Sequence, residues 1–361
     1  MERRASAPII QPLKTMWPVR VGGRALFLTC LFVGSAAVTR GSRGPGAAPP
    51  PMVLPPAAAP LLATPIPAAK QVMGSGRLRV QGTSEVWAAP RAERALAMRA
   101  FPPPALPSAS NLPHTPAGDV DRWVLRLAGS QRADTRRALQ RMARYDMLIR
   151  HALAERGLPR ELLSLALIES HFLPTATSPV GAGGIWQFMP ETARGYGLEV
   201  SEYVDERRDP IRSTYAAARH LEWLFRQFGS WHLAAAAYNA GDGRVGGVVR
   251  ELTGRRGGDE VLYWKVRPYL PRETQDYVPK LLAASRIARF PEQFGFHDLV
   301  PDEPLTFREI SVPGGTPLSK VADAVGVSAD AVYELNPHLV RGMTPPGRRW
   351  PVRIPAAPPS P

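Results

Sequence analysis

The sequence predicts a mainly α protein, with an all-α domain over residues 119–294 and a small βααβ domain over residues 305–355. Three observations carry this reading. The 40 prolines gather mostly between Pro45 and Pro116 and after Met343, which leaves Asp119–Arg289 comparatively free of helix breakers. Apolar residues in that stretch recur at helical spacing, as in Leu139, Met142, Tyr145, Ile149, Ala152 and Leu153. After Pro301 the period changes, and two short alternating runs bracket two amphipathic ones.

The N-terminal residues 1–40 read as a secretory signal peptide. Arg3, Arg4, Lys14, Arg20 and Arg24 precede the apolar run Ala25–Val38, which ends in the small residues Gly34-Ser35-Ala36-Ala37. A run of 14 residues is shorter than the roughly 18–20 that span a bilayer. The expected location is therefore the periplasm. Membrane association is expected only if Cys30 carries lipid, and Thr29 is a poor residue before a lipidated cysteine. Cys30 is the only cysteine, so an internal disulfide and a thiolate metal cluster are both excluded. Residues 41–118 begin as a Pro/Ala-rich stretch that cannot bury a core and reads as a tether followed by loop.

Within the helical domain, Gly157 and Pro159 close one helix and allow the next, Pro159–His171. Pro190 opens a helix that ends at Gly197. Asp209-Pro210 supplies a cap and a first-turn proline for a helix ended by Gly229. Further helices are expected over His232–Tyr238, stopped at Gly241, and over Arg272–Arg289. In the small domain the expected elements are strand Phe307–Val312, helix Pro317–Val325, a second helix capped by Ser328 and stopped by Asn336-Pro337, and strand Trp350–Ile354. The two domains are expected to have separate cores. Residues 356–361 read as a tail.

The formal charge of +14 suits an anionic partner, although an arginine-rich surface can also be merely solvated. No block of like charge resembles a nucleic-acid-binding tail, so no nucleic-acid partner is expected.

The chemistry concentrates around one carboxylate. Leu162, Leu165, Ala166 and Glu169 fall at i, i+3, i+4 and i+7, which places Glu169 on the apolar stripe of its helix. A carboxyl in such a position holds its proton toward neutral pH, as general-acid chemistry requires. Position alone leaves open a structural Glu paired with a buried Arg. Downstream, the small-residue loop Ser178–Gly184 leads into Ile185-Trp186-Gln187, where Trp186 offers an apolar face and Gln187 an amide. Ala237-Tyr238-Asn239-Ala240-Gly241 repeats the pairing of aromatic and amide beside a glycine, and Tyr277 follows. Together these suggest a sugar cleft.

These motifs, in this order, resemble those of family-one lytic transglycosylases. The stretches Glu155–Pro159, Tyr203–Asp209 and Pro271–Lys280 look most like the membrane-bound lytic transglycosylase D branch. The resemblance covers about Val120–Phe294 and implies a lysozyme-like catalytic domain. Its implied substrate is the β-1,4 bond between N-acetylmuramic acid and N-acetylglucosamine in peptidoglycan glycan strands. It implies that Glu169 protonates the leaving oxygen and then takes the proton of the muramic C6 hydroxyl, giving a 1,6-anhydro product. Ser170 would orient Glu169, while Gln187, Tyr238, Asn239 and Tyr277 would hold sugar groups. No cofactor and no metal are implied. Gly314-Gly315-Thr316-Pro317-Leu318 and Leu335-Asn336-Pro337 resemble the two signatures of a LysM glycan-binding module, with Gly314, Thr316, Asn336 and Pro337 as its glycan-contacting candidates. Gly315 stands where an acid is common, which leaves a purely structural cap as the alternative. Two rival functions stay open: a goose-type hydrolytic muramidase, which would need Glu191 or Asp242 as a further acid, and a non-catalytic wall-binding protein.

Overall fold

The computed structural model describes residues 19–21, 24–26 and 118–356. The first six form an antiparallel pair, β1 (Val19–Val21) and β2 (Arg24–Leu26), within a unit that spans Met1–Thr64. The rest of the signal-peptide and tether readings lies outside the described residues. All that follows concerns the second unit, Pro65–Pro361.

The expected helices are present, and their ends are set by the expected chemistry. Helix α1 (Gly118–Ala128) and α2 (Arg132–Ala154) lead, through a short 3-10 turn at Arg160–Leu162, into α3 (Leu163–Ser170). Helix α4 (Pro190–Gly195) starts on its proline. Helix α5 (Pro210–Phe228) is capped by Asp209, whose side chain accepts from the Ile211 and Arg212 amides, and it ends at Gly229 in the left-handed region. Helix α6 covers Trp231–Ala240 and α9 covers Arg272–Arg289. Three helices were not anticipated, α7 (Asp242–Thr253), α8 (Glu260–Val266) and α1. The first contains Gly243, Gly246 and Gly247, each about 1 kcal/mol worse than Ala in a helix. It forms because Val245 and Val249 are fully buried.

Helix α3 is buried on nearly every face and runs through one continuous core shared with α1, α2, α5, α6 and α9. That explains its near-unbroken apolar run. It also explains why a single charged side chain near its C-terminal end stands out.

The small domain has the expected order: β3 (Arg308–Val312), α10 (Leu318–Val325), α11 (Ala329–Leu335) and β4 (Trp350–Ile354). The strands pair antiparallel, with Ile310 opposite Val352. Ser328 caps α11 by accepting from the Ala331 amide.

The two domains have separate core clusters, but one residue crosses between them. Val204, from the larger domain, is fully buried in the small domain's cluster with Ile310, Leu318, Val332 and Leu339. The Asp205 amide donates to the His338 carbonyl at 2.8 Å and the Val340 amide to the Tyr203 carbonyl at 3.1 Å. Arg353 of β4 forks onto Asp209, with Nη2 to Oδ2 at 2.7 Å and Nη1 to Oδ1 at 3.1 Å. Both side chains are buried. Breaking such a pair from one side typically costs about 3–5 kcal/mol. The two domains are seated on each other through residues 203–209.

Candidate active site

Glu169 occupies the last turn of α3, where the exposed carbonyl ends of the helix disfavour negative charge. The chain leaves the helix through His171 and Phe172, both left-handed with φ of 54° and 58°. Such backbone is uncommon outside glycine, and it turns the chain sharply away from the carboxyl. Burial pushes the Glu169 carboxyl up to about 7. A hydrogen bond from Tyr277 and the charge of Lys280 pull the other way, and the charge of Glu273 adds to the rise. The Tyr277 hydroxyl donates to Glu169 Oε1 at 2.5 Å. Lys280 Nζ donates to the Ile168 carbonyl at 3.2 Å, which holds its charge beside the site. Glu169 keeps partial access to solvent, as a group that must reach a substrate requires.

The glycine loop lies across from this helix end. Gly183 and Phe188 exchange both backbone hydrogen bonds, at 3.0 and 3.1 Å. Gly184, at φ +80°, passes so close to the 207 peptide that a Cβ there would sit 1.7 Å from the Arg207 carbonyl oxygen. Only glycine fits. Gln187 has φ 49°, and its Nε2 donates to the Gly184 carbonyl at 2.8 Å and to that of Ala176 at 3.3 Å.

The structure brings Glu169, Tyr277 and Tyr238 together electrostatically. Burial raises both phenols well above 10, the Glu169 charge adding to it, so both hydroxyls stay protonated donors. Tyr238 Oη donates to the Trp186 carbonyl at 2.8 Å. Asn239 sits against the start of α9: its Oδ1 accepts from Thr274 Oγ1 at 2.8 Å and its Nδ2 donates to Glu273 Oε1 at 3.2 Å. Ser170 is buried, and its hydroxyl donates to the Ile185 carbonyl at 2.9 Å, tying α3 to the loop rather than turning to the Glu169 carboxyl. Trp186, expected to present its face to a ligand, is only 1% exposed and donates from Nε1 to Thr214 Oγ1 at 3.0 Å. It is a core side chain that anchors the loop.

Several site residues escaped sequence reading. Glu273 and Thr274 hold Asn239; Lys280 and Glu273 tune Glu169. Tyr196 and His220 extend the aromatic floor, with His220 5.3 Å from the Tyr238 ring and its Nδ1 2.9 Å from Tyr196 Oη. Burial lowers His220 to about 4, so it is neutral. Glu273, Thr274 and Lys280 lie within one helical turn of Tyr277, which was their only local signal. Tyr196 carried no such mark.

The LysM-like candidates are not brought to this cleft. Gly314 packs against the backbone, where a Cβ would meet the Arg348 and Pro345 carbonyl oxygens at 2.6 Å. Thr316 donates to the Pro313 carbonyl at 2.8 Å. Asn336 is buried and bridges α11 to β4, giving to the Val332 and Arg353 carbonyls and accepting from the Arg353 amide at 2.9 Å. Pro337 follows it, half-buried. Their polar groups hold the small domain together. Among the described residues no cluster of His, Cys, Asp and Glu could hold a metal.

The site thus joins one carboxyl of raised pKa at a helix end, two protonated tyrosines and a glycine-bounded loop that carries an amide. Residues 146–257 match the transglycosylase SLT domain, and residues 306–358 match the LysM-like domain of lytic transglycosylase MltD. Over these two stretches the chain is similar to lytic transglycosylases of the D type. It is 38% identical over 183 residues to the membrane-bound lytic murein transglycosylase D of Escherichia coli strain K12, covering 50% of this chain and 40% of that protein. It is 30% identical over 152 residues to the soluble lytic murein transglycosylase of the same strain, covering 40% of this chain and 23% of that one. The chain thus spans less than half the length of these relatives. The 70 kDa soluble lytic transglycosylase structure from Escherichia coli matches 48% of this chain and 29% of its own, at 25% identity and a TM-score of 0.37.

Proposed function

We propose that this chain cleaves the β-1,4 bond between N-acetylmuramic acid and N-acetylglucosamine in peptidoglycan, without consuming water. The observation that carries the reading is the state of Glu169. Its pKa of about 7 leaves it protonated enough to donate to the glycosidic oxygen and basic enough, once ionised, to take a proton back. In the first step the Glu169 proton passes to the leaving oxygen as the C1–O bond breaks. In the second, the carboxylate takes the proton of the muramic C6 hydroxyl while that oxygen bonds to C1. The proton count closes on the enzyme, and the product is a 1,6-anhydro sugar. Tyr277 holds the carboxylate between the two steps, and its hydrogen bond strengthens as charge develops. Gln187, Tyr238 and Asn239 line the path of the sugar.

A hydrolytic muramidase would need a second acid positioned for water. Glu191 and Asp242, the residues a hydrolytic route would call on, are both exposed. The carboxylate that acts on Glu169 is Glu273, itself exposed and engaged by Asn239. This favours the single-carboxylate route. Digestion of purified peptidoglycan followed by mass analysis tests it: anhydro products are lighter by one water than hydrolytic ones.

We further propose that the chain works in the periplasm after removal of residues 1–40 and carries no lipid on Cys30. No helix among the described residues is long and apolar enough to cross a membrane. Intact mass and detergent dependence of extraction check this proposal. The small domain is proposed to bind glycan strands, tested by pelleting with insoluble wall.

A further inference from the structure

The segment that seats the small domain is also the segment that holds the catalytic loop. On one side of residues 203–209, Asp205 donates its amide to His338, Val204 fills the small domain's core and Asp209 receives Arg353. On the other side, the Asp205 carboxylate grips Arg207 Nε and Nη2, each at 2.8 Å. Arg207 Nη1 then donates to the carbonyls of Gly181 at 2.6 Å and Phe188 at 3.0 Å, one before and one after the glycine loop's central turn. Gly184 rests directly on the 207 carbonyl. From that loop, Ile185 receives the Ser170 hydroxyl at the end of the catalytic helix and Trp186 receives Tyr238. The links are hydrogen bonds, ion pairs and close packing, most of them buried, and they run without a break from β4 to the loop. A displacement at β4 therefore has a short mechanical route to Gln187.

We infer that the LysM-like domain is a positioning element of the catalytic site, acting through Arg353, the 203–209 turn and the positioning residue Arg207. The inference rests on the peptidoglycan-cleaving reading above. A domain that only tethers the enzyme to the wall would change binding to insoluble material and leave turnover of soluble glycan alone. A domain that holds the 203–209 turn in place changes turnover on any substrate. Misplacing a reactive geometry by about 1 Å can cost up to about a hundredfold in rate.

The test uses the full chain with soluble, uncrosslinked glycan oligomers as substrate, and hydrogen exchange at the Gly183, Gly184 and Phe188 amides. Arg353→Gln is expected to lower kcat by about fivefold to a hundredfold with KM little changed, and to speed exchange at those amides. The double variant Asp209→Asn/Arg353→Gln removes the uncompensated buried charge and is expected to recover most of both losses. Arg207→Lys keeps a cation beside Asp205 but lacks the fork to Gly181 and Phe188, and is expected to lower kcat with the small domain still seated. A folded Arg353→Gln chain with parental kcat, or with lowered kcat and unchanged loop exchange, overturns the inference. If that variant does not fold, parental kcat in Arg207→Lys overturns it. A parent chain that leaves the glycan intact while Arg353→Gln still loosens the loop would instead discard the peptidoglycan-cleaving reading and leave the mechanical coupling standing.

Discussion

Glu169 and Asp209 are both carboxyls at a helix end, the first half-buried and the second fully buried, and they are driven in opposite directions. Glu169 closes α3, where the dipole opposes a negative charge, and its contacts are a phenol and a cation held one step away. Its carboxyl rises to about 7. Asp209 opens α5, where two amides point at it, and Arg353 forks onto both its oxygens. Burial alone would raise the Asp209 carboxyl as well; the Arg353 charge, with His338 and the hydrogen bonds, outweighs it and holds the group well below the usual carboxylate range. His338 itself is lowered by burial to about 4 and is neutral beside the pair. The lesson is that enclosure sets the stakes and partners decide the charge. One end holds a carboxyl that keeps its proton toward neutral pH, the other an ion pair that joins two domains.

The largest effect should come from removing the first carboxyl. Glu169→Gln is expected to lower peptidoglycan cleavage by at least about 10²–10⁴-fold, since in the proposed reaction one group carries both proton transfers. It should also stabilise the fold at alkaline pH. A carboxyl whose folded pKa lies above its unfolded value keeps a proton that the unfolded chain has released. Its contribution is intact below about 4.5 and is lost as pH rises through about 7. At 1.36 kcal/mol per unit, the gain for Gln at pH 8 is up to about 3 kcal/mol, read by denaturant unfolding. Activity within about tenfold of the parent would remove Glu169 from the chemistry.

At the other end, Arg353→Gln is expected to cost about 3–5 kcal/mol in denaturant unfolding, because it strands a buried charge. The sign of its pH dependence is opposite to that of Glu169. Asp209 has a depressed folded pKa, so its contribution is present above about 3.8 and is lost as pH falls toward its folded value. The parent should therefore lose small-domain docking in acid, and Asp209→Asn should lose this part of the acid dependence. Although the two core clusters are separate, deleting residues 304–361 should destabilise the larger domain by leaving Asp209 without Arg353 and Val204 uncovered.

Smaller effects sharpen the picture of the cleft. Tyr277→Phe removes a donor that favours ionised Glu169, so the alkaline limb of the activity profile should move to higher pH. A hydrogen bond to a charged group is worth about 1.5–3 kcal/mol, or about 1–2 pH units. A limb that stays in place would show that the phenol does not tune the acid. Asn239→Ala should raise KM a few-fold with a modest change in kcat, since the side chain is held by Thr274 and Glu273 rather than by Glu169. Steady-state kinetics on soluble glycan separate the two constants.

Much of this was legible in the sequence. The apolar period around Glu169 placed it on a buried stripe, and local capping chemistry marked Asp209-Pro210, Gly229 and Ser328 before any coordinates. These are short-range signals, written within about a helical turn. What escaped is long-range or overridden. Helix α7 contradicts its own glycines because tertiary burial of Val245 and Val249 outweighs propensity. Trp186 reads as a ligand platform, but the pocket around Thr214, 28 residues on, claims it for the core. The Asp209–Arg353 pair spans 144 residues, and no local pattern announces it. Capping foretold where Asp209 sits but not that it would face a second domain.

The Glu169 and Asp209 carboxyls are shifted in opposite directions from the ordinary carboxylate value. Carboxyl carbon chemical shifts of Glu169 and Asp209, followed through a pH titration of one labelled sample, test this directly. The account predicts that Glu169 titrates near 7, while Asp209 stays ionised until the small domain undocks in acid. Titration of Glu169 in the ordinary carboxylate range around 4–5 would contradict it.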